Sequence, residues 1–211
     1  MTTEQTKAVQ TRATTPKGRV SFPHCFVPRA PMPGADEKYS ITLLIPKTEN
    51  IDKIKELRNK AVSDKWPDAT KRPKNLHNPI KDGDTDVMND GSLRKDKYPE
   101  LAGHWLISAG RSKKTGRPKV VDQGLQEIIE ESDLYAGCYA RMSIHAFAYA
   151  PTKDKPQMKC GVSFGLNNVQ KLAEGEPLGG MSSKPEDDFE PVAGTEAPVQ
   201  VKSETGSEMF S

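Results

Sequence analysis

Gly137-Cys138-Tyr139-Ala140-Arg141-Met142-Ser143-Ile144-His145-Ala146-Phe147-Ala148-Tyr149-Ala150 alternates with a strict period of two. Successive side chains of a strand point to opposite faces, so this pattern sorts the stretch into two sets. Cys138, Ala140, Met142, Ile144, Ala146 and Ala148 make one face, small and apolar, suited to the interior of a tight barrel. Tyr139, Arg141, Ser143, His145, Phe147 and Tyr149 make the other, which is aromatic and cationic together. A long strand with one closed face and one charged, ring-bearing face sets the class as mainly β.

The neighbouring segments agree. A strand is expected from Gly18 to Val27, with Val20, Phe22, His24 and Phe26 on one face and Arg19 and Ser21 on the other. Pro28 to Gly34 reads as a loop, because its prolines cannot feed a ladder. A second strand follows from Lys38 to Pro46, with Tyr39, Ile41, Leu43 and Ile45 toward the core and Ser40 and Thr42 facing away. One helix is expected from Ile51 to Lys65, where Ile51, Ile54, Leu57, Ala61 and Val62 recur at helical spacing. Thr48 or Asn50 can cap it, and Trp66-Pro67 ends it. Residues 67–103 are polar and carry little regular patterning, which reads as a functional insertion. Strands resume at His104–Arg111, Arg117–Asp122 and Met158–Leu166. Strand, strand, helix and then at least four strands with Gly and Pro turns suit a Greek-key barrel of the oligonucleotide-binding (OB) type with an insertion after the helix. An α+β sandwich is the alternative.

Charge divides the 211 residues unevenly. The last 31, from Met181, hold seven acids against two lysines, which leaves 29 bases and 22 acids elsewhere. The expected organisation is a flexible arm over 1–16, an OB-type body over 17–180 and a disordered acidic tail over 181–211. Glu186, Asp187 and Asp188 supply the tail's charge, and Glu208, Met209 and Phe210 give it an apolar tip for partners. A basic body with an acidic tail fits a polyanion binder whose tail competes for the same surface.

Cys25, Cys138 and Cys160 form no CxxC pair, which disfavours a zinc ribbon. Their odd number and the polar N-terminus, which lacks a leader-like apolar run, point to the reducing cytoplasm. No stretch approaches the ~18 apolar residues of a membrane-spanning helix.

The mixed face of the 138–150 strand points to single-stranded nucleic acid. Bases stack on flat rings, at about 1–3 kcal/mol per base, while cations follow the phosphates. Tyr139, Phe147 and Tyr149 are the candidate platforms, with Arg141 among them. The competing reading packs Phe147 and Tyr149 beneath the helix or the insertion. Arg111, Lys113, Lys114, Arg117 and Lys119 make a basic hairpin turn able to close over a backbone. Lys17, Arg19 and Lys38 can extend that surface, and Trp105 is either a platform or core. Stacking does not read the 2′-hydroxyl, so RNA, and duplex DNA more weakly, are further candidate partners.

Catalysis has little support. Asp82-Gly83-Asp84-Thr85-Asp86 opens like a calcium loop, but Val87 stands where glycine is required and Leu93 where the closing Glu belongs. Asp82, Asp84, Asp86, Asp90 and Asp122 are numerous enough for a metal-dependent nuclease or resolvase, yet no nuclease spacing links them. His24, His77, His104 and His145 show no ligand spacing. The expectation is no enzyme, no metal and no cofactor, with a virion or scaffold protein as a further alternative.

Lys38-Tyr39-Ser40-Ile41, the helix, Arg117-Pro118-Lys119-Val120-Val121-Asp122, Tyr135-Ala136-Gly137-Cys138-Tyr139 and the segment Gly161 to Gln170 together resemble phage-encoded single-stranded DNA-binding proteins. The resemblance covers about Lys17 to Gly180 and implies a divergent OB-fold. It also implies sequence-tolerant binding of single-stranded DNA during phage replication or recombination. The tail is similar to those of T7-like and bacterial single-strand binders, which implies recruitment of replication or recombination partners and competition with DNA.

Overall fold

The quoted strand folds as its alternation requires: Cys138, Ala140, Met142 and Ile144 are fully buried, while Arg141 and Phe147 are exposed. The computed structural model describes residues 12–153 and 156–178, all within one compact unit that spans 1–179. Its elements in chain order are β1 (Ala13–Thr14), β2 (Gly18–Arg29), β3 (Lys38–Pro46), α1 (Asp52–Lys65), β4 (Ile80–Asp82), α2 (Arg94–Lys97), β5 (His104–Ser112), β6 (Lys119–Val121), β7 (Tyr139–Tyr149) and β8 (Gly161–Ala173).

Hydrogen bonding runs β2 to β3 to β5 to β8 to β7 and back to β2, which closes a five-stranded barrel. The β5–β8 pair is parallel at Ala109↔Phe164 and Gly110↔Gly165, and the other barrel pairs are antiparallel. This is the OB arrangement. The β2–β7 seam is short, Gly18↔Ala140 and Arg19↔Tyr139. A Cβ on Gly18 would stand 2.9 Å from Ile45 Cγ1 and 3.0 Å from the Leu44 carbonyl, so the seam closes only over glycine.

The interior is filled by Val20, Ile41, Leu43, Ile45, Ile107, Met142, Ile144, Phe164 and Leu166, all at 1% exposure or less. Each such side chain contributes about 1.5–3 kcal/mol by leaving water. The helix lays Ile54 and Leu57 on this core, and Ala61 and Val62 on Val162 and the flanking Ala146 and Ala148. Ile51, not Thr48 or Asn50, stands at the N-cap and offers no side-chain cap, while Asn50 Oδ1, one residue earlier, accepts the Asp52 N–H at 2.7 Å.

Four more sequence expectations change. Ala13 and Thr14 pair with Ile144 and Ser143 of β7, and Thr15 is buried, so the arm is built into the barrel from there on. On β2, Ser21 faces Thr42 and His24 faces Ser40, so Phe22 and Pro23 together oppose Ile41. This bulge reverses the alternation: Cys25, not His24, enters the core, and Phe22 is expelled at 58% exposure. The proline that lacks an N–H sits where the ladder is already broken. β2 also runs on to Arg29, which pairs with Lys38, so Pro28 belongs to the strand rather than to a loop. Finally β8 runs to Ala173, because a second bulge at Asn167 restores Val169 to the core.

The insertion after α1 is short helical turns and one strand, and it is pinned to the barrel. β4 pairs with β5 along Ile80↔Ile107. Leu101 packs with Leu44 and Leu106, which covers the lower half of the outer β3–β5 face. Lys47 bridges Asp82 at 2.5 Å and Asp84 at 2.6 Å, while Asp86 binds Lys81 at 3.1 Å and Arg94 at 2.7 Å.

Candidate nucleic-acid interface

Alternation on β3 and β5 sends Ser40, Thr42 and Ser108 outward, and the insertion leaves this upper half of the face open. Thr42 Oγ1 and Ser108 Oγ lie 2.8 Å apart, so the floor is lined with hydroxyls. A groove of about 670 Å³ runs over it. Phe22 stands on the β2 side, and Phe147 on the opposite side, where β7 meets Ser163 of β8. Both rings are open to solvent, Phe22 at 58% and Phe147 at 45%. Phe22 holds φ at +49°, a left-handed backbone that a bulky residue adopts only at a cost of about 1–3 kcal/mol. His77 and Lys81 from the insertion form part of the wall, and Lys38 and Arg111 line the β3–β5 end.

The cations differ in what they have free. Arg111 donates to the Gly116 and Thr115 carbonyls at 2.8 and 2.9 Å, so it braces the turn that follows β5. Lys113 is held by Glu37 at 2.6 Å. That partner raises the Lys113 pKa through the hydrogen bond and the nearby charge. Asp36 and Glu37 both line the groove, so its rim carries acid as well as base.

The match to known proteins is extensive. The model of the family described as Enterobacter phage Enc34, ssDNA-binding protein, matches residues 11–199. The chain belongs to this family. The single-stranded DNA-binding protein from bacteriophage Enc34, solved in complex with ssDNA, is 27% identical over 80% of this chain and 90% of that chain, with a TM-score of 0.63. A C-terminal truncation of the Enc34 protein is 25% identical over 80% of this chain and 88% of that chain, with a TM-score of 0.60. The single-stranded DNA-binding protein encoded by bacteriophage T7 shares the fold, at 16% identity over 88% of this chain and 98% of that chain and a TM-score of 0.52. No curated protein matches the chain.

In this member of the Enc34 family the sequence-derived site residues separate into groups. Lys38, Arg111 and Phe147 meet in the groove. Arg141 and Lys119 line a different concavity, of about 420 Å³, further along β7. Arg141 donates to Gln170 Oε1 at 2.8 Å, and Lys119 pairs with Glu127 at 2.8 Å. Arg117 shares Glu127 and lies 5.1 Å over the Phe26 ring. Arg19 donates to the carbonyls of Gly137 and Glu176, which ties β2 to the turn before β7 and to the segment after β8. Lys17 lies 5.2 Å over the half-buried Tyr139 ring. Trp105 packs on the core with Lys47 and Lys55 over its ring, away from the groove. Tyr149 is half-buried against Gly161 and His77, and burial raises its pKa. Lys114 is exposed at the turn. The three rings expected on one ribbon are therefore not one platform. Phe147 is open, Tyr149 backs the wall, and Tyr139 lies at the far end of the strand.

Phe22, His77, Lys81 and the hydroxyl floor were not among the sequence-derived site residues. For Phe22 the signal was present: a Phe-Pro step inside an alternating strand marks a bulge, and a bulge re-aims a side chain. In the calcium-like loop Asp82 and Asp84 pair with Lys47, and Asp86 pairs with Lys81 and Arg94. Among the described residues no group of three or more His, Cys, Asp or Glu is arranged to hold a metal ion. No helix among them is long and apolar enough to cross a membrane. Glu186, Asp187, Asp188, Glu208, Met209 and Phe210 of the tail lie outside the described residues.

Proposed function

We propose that this protein binds single-stranded DNA without sequence preference, in the groove between Phe22 and Phe147. The observation that carries the reading is that pair of solvent-open rings flanking a hydroxyl floor on the middle strands of an OB barrel. Bases stack on the rings, Ser40, Thr42 and Ser108 offer hydrogen bonds to whatever lies between, and Lys38 faces the phosphates, with Arg111 bracing the turn beside it. The Enc34 relative solved with ssDNA supports the ligand class. Family membership supports a non-enzymatic role in phage replication or recombination, in the cytoplasm of the bacterial host, with partners recruited through the tail. Against the rival nuclease reading, three of its five acids, Asp82, Asp84 and Asp86, are engaged by Lys47, Lys81 and Arg94.

The test is fluorescence anisotropy with a labelled oligo-dT. Removing both rings as Phe22→Ala with Phe147→Ala deletes two stacking contacts of about 1–3 kcal/mol each, so affinity should fall by at least about thirtyfold. Both side chains are exposed, so the thermal midpoint should hold. Unchanged affinity in a folded double variant would remove the groove from consideration.

A further inference from the structure

The outward face of β7 leads away from the groove to the second concavity, where Arg141 and Lys119 stand beside the apolar side chains of Val121 and Leu125. A smaller hollow of about 290 Å³ adjoins it and shares Thr14 and Ser143. Arg12 and Lys53 line that hollow. The two therefore form one furrow lined by four cations, of which, among the described residues, only Lys119 is paired with a carboxylate, that of Glu127. The main groove, by contrast, has Asp36 and Glu37 on its rim. Neither Arg12 nor Lys53 is in an ion pair among the described residues.

From these observations we infer that the furrow is a second seat for the same DNA strand, taking the length that leaves the groove past Phe147. A cationic trough beside apolar side chains matches the two halves of a nucleotide, an anionic backbone and a flat base. Leu125 overhangs the furrow at 70% exposure, an apolar surface on which a base can lie. Continuity along the strand supplies the path. Phe147 and Arg141 sit six residues apart on one face of β7, about 20 Å at the rise of a strand. Between them His145 lies flat over Gly165, where any Cβ would collide with its ring. Past Gly165 the stretch of β8 between the two seats presents the amides of Asn167, which bonds His145 at 2.9 Å, and Asn168. OB folds occupy about 4–16 nucleotides depending on binding mode, and two seats give this chain a short and a long mode.

The inference rests on the groove reading, and probe length separates the two. The furrow variant is Arg12→Gln, Lys53→Gln and Arg141→Gln together. All three positions are exposed, and Lys119 is left out because Glu127 already holds it. Anisotropy is read with oligo-dT of about 6 and about 20 nucleotides, lengths chosen within and beyond one seat. The short probe should bind the variant within about twofold of the unchanged protein, which also reports a native fold. The long probe should bind at least about tenfold more weakly, with its log–log salt slope shallower by about 2 for three lost phosphate contacts. Equal losses on both probes, or none on either, would overturn the second seat. The Phe22→Ala, Phe147→Ala pair instead weakens the short probe, so failure there condemns the groove and not the furrow.

Discussion

Burial decides the chemistry of single residues here. Cys25 is fully enclosed, and burial pushes its thiol up to about 12. Cys138 is also buried and shifted upward by desolvation, whereas Cys160 is half-exposed at the start of β8. Thiolates, not thiols, react with alkylating agents. At pH 8 the folded protein should therefore incorporate one iodoacetamide, at Cys160, and all three after denaturation, as peptide mapping would read directly. Fast labelling of Cys25 in the folded state would contradict its enclosure. The linkage runs in one direction: the native state holds the Cys25 proton more tightly than the unfolded chain. Its stabilising contribution is complete below about pH 9 and lost as pH rises toward 12.

At the scale of elements, the loop from Ala30 to Glu37 sets the charge of the groove rim. Its Glu37 holds Lys113 at 2.6 Å, and both side chains are well exposed. A surface pair of this kind contributes little to stability, about 0–1 kcal/mol. Glu37→Gln should leave the thermal midpoint nearly unchanged, free Lys113, and remove a negative charge from the path of the DNA. Affinity for oligo-dT should rise severalfold and the salt slope steepen by about 0.7. A variant that binds no better would place the DNA away from this rim. The same elements explain what could be read beforehand. β3 and β7 alternate without interruption, so their faces were legible from Ile41, Leu43 and Ile45 and from Met142 and Ile144. β2 and β8 each shift register twice, β2 at Phe22–Pro23 and again between His24 and Arg29, β8 at Asn167 and again at Leu172, and an alternation rule has no means of counting a bulge. The basic turn misled for another reason. Composition shows that Arg111, Lys113, Arg117 and Lys119 are cations, but not that the fold occupies each with a carbonyl or a carboxylate.

For the whole molecule, the question is why a binding barrel carries an insertion between its second and third strands. The insertion supplies the His77 and Lys81 side of the groove, and it is fastened by charge as much as by packing. Lys47, at the end of β3, joins Asp82 and Asp84 across a side-chain exposure of about a third, where ion pairing is weakened but not lost to solvent. The hydrogen bonds and charge of Lys47 hold both carboxylates below their usual range. Their stabilising effect is present above about pH 4 and lost as pH falls below it. Lys47→Met should leave Asp82 and Asp84 facing each other without a counter-charge and loosen the insertion while the barrel core stays closed. Hydrogen exchange should then quicken in residues 80–103 and hold steady in β7 and β8. DNA affinity should drop a few-fold even though Lys47 lies outside the groove. Uniform acceleration across the chain would show that insertion and barrel unfold as one unit. Unaltered exchange with weakened binding would make Lys47 a direct DNA contact instead of a strut.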